Sequence, residues 1–112
     1  MNTYTPDLWV IVKLTFKDNF HYRVLASWCG GYLNGDSWKL SSGNESAKLE
    51  DNMYNVLQHS GSTYSCHTDS YGMSGYASRI LDGFQEDADN SKDELAIQLL
   101  TEKEAKEYLN AL

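Results

Sequence analysis

Apolar and polar positions alternate most regularly near the N-terminus. Leu8, Val10, Val12, Leu14 and Phe16 recur at every second residue, the period of a strand with one buried face. Phe20, Tyr22, Val24, Ala26 and Trp28 repeat the pattern after Lys17-Asp18-Asn19, so the two segments read as a hairpin joined by three residues. That loop pairs residue 16 with 20, 14 with 22 and 12 with 24, and puts both apolar sets on one face. The opposite face then sets Lys13 across from Arg23 and Thr15 across from His21.

Further along, Asn34-Gly35 carries a type I′ turn signal, flanked by Tyr32-Leu33 and Ser37 to Leu40 as short strands. Ser41 to Asn44 closes this region. Ala47 to Glu50 and Met53 to His59 read as strands around a turn at Asp51-Asn52, and Ser60-Gly61-Ser62 turns into a polar strand, Thr63 to His67. The period then changes. Met73, Tyr76, Ala77, Ile80, Leu81 and Phe84 follow helical spacing, with Ser74 as the cap and Gly83 near the end. Gln85 to Glu94 reads as an acidic connection, Leu95 to Leu100 as a last strand. Thr101-Glu102-Lys103-Glu104 is a capping box that opens a terminal helix through Leu112. These elements predict a single α+β domain over residues 1–112: a mostly antiparallel sheet of five or six strands followed by two helices.

Composition bears on partners. The 112 residues carry a formal net charge of −7, and from Asp82 onward nine acids face only Lys92, Lys103 and Lys106. A near-neutral body with an acidic C-terminal third lacks the basic face that non-specific nucleic-acid or membrane-surface binding needs. The first apolar run, Leu8 to Val12, is too short for a secretory signal or a membrane span. Two cysteines, Cys29 and Cys66, do not make a disulfide framework; a reducing cytosol would keep both as thiols, and the alternative is a pair if the fold brings them together.

Candidate chemistry falls into three groups. Lys13 opposite Arg23 places like charges across a strand pair, unfavourable unless an anion or an acidic neighbour neutralises them. Tyr32, Trp38 and Lys39, with Trp28 on the apolar face of its strand, fit either a cage for a flat ring or an aromatic hot spot for a protein partner; the competing reading is core packing. His59, Tyr64 and His67 supply phosphate-contacting or acid–base groups, and His59 with His67 would carry a small phosphate-ester enzyme. Cys66 and His67 point to opposite faces of a strand, which argues against a Cys–His nucleophile. No spacing supports a metal site, and no cofactor motif occurs.

The segments from Leu8-Trp9-Val10 through Tyr22-Arg23-Val24, Ser27 to Tyr32, Asp36 to Gly43, Ser60 to His67, and Tyr71-Gly72-Met73-Ser74 resemble a family of small uncharacterised tailed-phage proteins. The resemblance spans about residues 5–84 and leaves out the acidic tail. It implies an accessory protein in the host cytoplasm and assigns no catalytic role. Small phage proteins of this size often block host defence proteins or sequester signalling nucleotides. The expected function is therefore binding, of a host protein or a small nucleotide-like anion, to counter host defence. A small enzyme and a phage assembly component are the alternatives, and an unpaired sheet edge would permit a homodimer.

Overall fold

The computed structural model describes residues 2–30, 35–90 and 95–112. The described chain is α+β, as the pattern predicts, with its strands divided between two four-stranded sheets rather than joined in one. The strands are β1 (Thr3–Tyr4), β2 (Leu8–Phe16), β3 (Asn19–Cys29), β4 (Asp36–Leu40), β5 (Asn44–Glu50), β6 (Met53–Gln58), β7 (Thr63–His67) and β8 (Leu95–Leu99); the helices are α1 (Gly75–Asp89) and α2 (Glu102–Ala111). One sheet has the order β4-β3-β2-β8 and the other β1-β7-β6-β5. Apart from the parallel β1–β7 pair, the pairings are antiparallel.

The N-terminal hairpin differs from expectation by one residue. Phe16 pairs with Asn19, so the turn is Lys17-Asp18 alone, with Lys17 at φ 54°. Lys13 therefore faces Tyr22, and Arg23 faces Val12. Because side chains alternate with period two, this slip moves Lys13 and Arg23 to opposite faces. The expected like-charge pair does not form.

Both faces of β2 are covered, which explains why Leu8 to Val12 is apolar at every position. Trp9, Ile11, Val24 and Ala26 meet Tyr54, Val56, Tyr64 and Cys66 of the other sheet, and Leu100, Ala105 and Leu109 complete that core. The Trp9 indole N–H donates to the His67 carbonyl at 2.7 Å. The Tyr71 hydroxyl donates to the Leu100 carbonyl (2.7 Å) and accepts from the Ile11 N–H (3.1 Å). On the other face, Val10, Val12 and Leu25 pack with Leu81 of α1.

Ser74 caps α1 as expected, its hydroxyl accepting from the Ala77 N–H at 3.1 Å. The helix runs past Gly83 to Asp89, so the first part of the expected acidic connection is helical. Buried Ala77, Leu81 and Ala88 share one face, while Glu86, Asp87 and Asp89 remain exposed. The acids mark the solvated side of a helix that continues. The capping box at Thr101 forms in full. Asp51 and Asn52 both take positive φ, 50° and 63°, as a two-residue type I′ turn requires.

Candidate functional site

Strand β3 is longer than its partner β4. Pairing with β4 covers only Leu25 to Cys29, and Ser41 then prolongs it by one step. Its N–H donates to the Val24 carbonyl (2.9 Å), and its buried hydroxyl accepts from the Val24 N–H (2.8 Å). The chain leaves this sheet at Ser42 and enters the other at Asn44. Beside the crossing, the Asn19–Arg23 edge of β3 has no strand partner on the β4 side among the described residues.

Three basic side chains gather at this edge. His21 and Arg23, two residues apart, share a sheet face, and the Arg23 Nε–H donates to His21 Nε2 at 3.1 Å. An accepting Nε2 requires a neutral imidazole with its proton on Nδ1. Partial burial, then the positive Arg23 and the neighbouring His59, hold His21 below its usual 6.5. His59 arrives from the end of β6. Its N–H donates to the Gly43 carbonyl at 2.9 Å, and its ring lies so close to Gly43 that a Cβ there would sit 2.7 Å from Cδ2. Gly43 has φ +139°, a region that glycine alone enters without strain. Its N–H is held by the Oε1 of buried Gln58 at 3.0 Å.

The other expected site residues are dispersed. Lys13 lies on the inter-sheet side with its ammonium 4.5 Å from the centre of the Phe20 ring. Trp38 is half-buried and packs edge-on against Phe84 at 5.5 Å. Lys39 is exposed with its ammonium 4.9 Å from the Tyr4 ring centre. Tyr64 is 1% exposed and belongs to the core; burial pushes its hydroxyl up to about 12, so it offers nothing to a ligand. Tyr32 lies outside the described residues.

His67 pairs with Met53 at the far end of the β6–β7 hairpin, whereas His59 follows the other end of β6. At about 3.4 Å per residue, that separates the two by roughly 20 Å. They cannot act together on one phosphate ester. The His67 ring instead accepts from the Asp69 N–H at 3.2 Å. Cys66 is buried, with its thiol pushed up by burial, and Cys29 is exposed; both are free.

His21 is the functional candidate that pattern reading passed over, although its signal is in the sequence. Residues 21 and 23 face the same way in any strand register. Neither of the ion pairs among the described residues, Lys48–Glu50 and Lys106–Glu102, involves Arg23. Among those residues no group of three or more His, Cys, Asp or Glu is placed to hold a metal ion, and no helix is long and apolar enough to cross a membrane. Compared with family models, curated proteins and solved structures, the chain matches none.

Proposed function

We propose that this chain is a small-molecule binding protein that holds an anion at the open edge of β3. Arg23 supplies the fixed charge, while His21 and His59 supply imidazole N–H donors. The Arg23–His21 hydrogen bond beside His59 carries this reading: it is a cationic group on a chain of net charge −7. Guanidinium presents a planar fork matched to carboxylate and phosphate oxygens. With its Nε2 taken by Arg23, the neutral His21 ring would offer its Nδ1–H to the oxyanion. With His59 and His67 far apart, the arrangement favours retention of a ligand over turnover. In the phage setting that the resemblance implies, the role would be sequestration of an anionic signal such as a nucleotide.

Thermal denaturation with inorganic phosphate and a nucleoside monophosphate tests the proposal. Ligand at 100 times its Kd stabilises by about 2.7 kcal/mol, which raises Tm by roughly 10 °C in a domain of this size. Arg23→Gln should abolish the rise. An unchanged Tm at millimolar ligand, or an undiminished rise in the variant, would refute it.

A protein partner is the second reading, with an observation of its own. Phe16 and Phe20 flank the β2–β3 turn and are 44% and 58% exposed, each with a lysine ammonium about its ring, Lys17 at 5.4 Å and Lys13 at 4.5 Å. Exposed aromatics of this kind anchor protein interfaces. Phe20→Ser should remove capture of a host protein and leave anion binding intact.

A further inference from the structure

The α1 side of the first sheet holds a partly open pocket of about 110 Å³. Val12, Leu14, Leu25 and Ile97 of the sheet floor it, and Leu81 and Phe84 of α1 form a wall. Packing normally removes apolar space of this size, because side chains around a gap forfeit their contacts. Apolar lining also gives water no hydrogen-bond partners.

The pocket adjoins the basic edge through the strand register. Val12 is the cross-strand partner of Arg23, and Leu14 is the partner of His21. Directly opposed residues have Cβ atoms about 5 Å apart. Alternation puts Arg23, His21 and Leu25 on the face that bears the pocket. Basic groups therefore stand beside an apolar hollow, with no further strand among the described residues on the β4 side of β3 to separate them from solvent.

We infer that the site takes an amphiphilic oxyanion: a head group on Arg23 and His21, and a short alkyl tail in the pocket between the first sheet and α1. This inference rests on the anion-binding reading above and adds the chemical class of the ligand. Size sets the tail length. An apolar cavity of about 150 Å³ accommodates a benzene molecule, so the smaller pocket here suits a carboxylate of about four to six carbons.

The test is a calorimetric and NMR titration of the intact protein with inorganic phosphate, acetate, butanoate, hexanoate and the neutral alcohol hexanol. Affinity should rise roughly fourfold per methylene from acetate to hexanoate, the increment of a buried CH₂. Hexanoate should perturb the Leu14, Leu81 and Ile97 methyl signals. Leu40→Phe, which narrows the pocket from the β4 side, should flatten the chain-length dependence without changing phosphate binding. Ile97→Phe narrows it from β8 and serves if the first variant does not fold. Arg23→Gln should weaken hexanoate about tenfold or more and leave hexanol unaffected.

Phosphate and acetate binding with no gain from longer chains overturns the tail and leaves the anion site standing. Equal binding of hexanol and hexanoate, with none of phosphate or acetate, overturns the anion reading and this inference together. Absence of binding by every probe does the same.

Discussion

Gly43→Ala tests the geometry that delivers His59 to the β3 edge. Two effects act at this position. The added Cβ would lie 2.7 Å from His59 Cδ2, and a side chain would have to occupy φ +139°. His59 is exposed, so its ring can turn aside for about 0.5–1.5 kcal/mol even in a poor rotamer. The backbone has no such escape. The Gly43 N–H is bound to Gln58 Oε1, and its carbonyl accepts the His59 N–H. Relaxing φ would break one of these bonds and leave a buried polar group unpaired. Strain of this kind costs about 1–3 kcal/mol, so the backbone term should dominate.

At about 4 °C per kcal/mol for a domain of this size, Gly43→Ala should lower Tm by roughly 4–12 °C. Circular dichroism melting measures it. A double-mutant cycle with His59→Ala separates the two effects. Most of the loss should persist when the imidazole is absent. If the loss vanishes there, the ring contact rather than φ is responsible, and the ranking of effects is wrong. A Tm within about 2 °C of the parent in the single variant would refute both terms.

Three further outcomes follow from particular contacts. Ser41→Ala removes the side-chain acceptor of the buried Val24 N–H and should cost about 1–3 kcal/mol in urea denaturation; a change below about 0.5 kcal/mol would show that the sheet edge relaxes freely. Gly83 lies inside α1 with open space where a Cβ would go, so Gly83→Ala should stabilise the protein by about 0.5–1 kcal/mol, and any loss of Tm would contradict that placement. His21 is held below 6.5 in the folded chain, so the unfolded chain binds more protons at mildly acidic pH. Its contribution to stability is complete above pH 6.5 and is lost as pH falls through the lower folded value; a His21→Asn variant should lose that part of the slope between pH 7 and 5, and an unaltered slope would refute the assignment.

Local chemistry was legible where one segment decides its own structure. The Ser74 cap, the Thr101 capping box and the Asp51-Asn52 turn all depend on neighbours within four residues, and each forms as read. The β2–β3 register was not legible, because Lys17 adopts φ 54° without the glycine or asparagine that usually announces such a turn. The alternation in Leu8 to Phe16 suggested one buried face, yet the unbroken apolar run Leu8 to Val12 already carried the signal of two. Acid content likewise ended the predicted helix too early, since Ala88 continues the buried face beneath Glu86 and Asp87.

The candidate site was harder to see because a buried polar residue organises it. In β6, Leu57 points outward and Gln58 inward, the reverse of what hydropathy alone assigns. Burial of Gln58 is tolerable because its amide is used: Oε1 accepts from the Gly43 N–H at 3.0 Å, and Nε2 donates to Asn44 Oδ1 at 2.9 Å. An unpaired amide there would cost about 1–3 kcal/mol. Those bonds hold the crossing between the sheets, and the crossing holds the His59 N–H. His59 thus reaches the neighbourhood of His21 and Arg23 through a polar anchor whose partners lie about fifteen residues away in sequence. Hydrophobic period cannot report such a contact, whereas the shared face of His21 and Arg23 follows from alternation alone. The site therefore divides physically into a locally encoded half on β3 and a half that exists only once the two sheets have met.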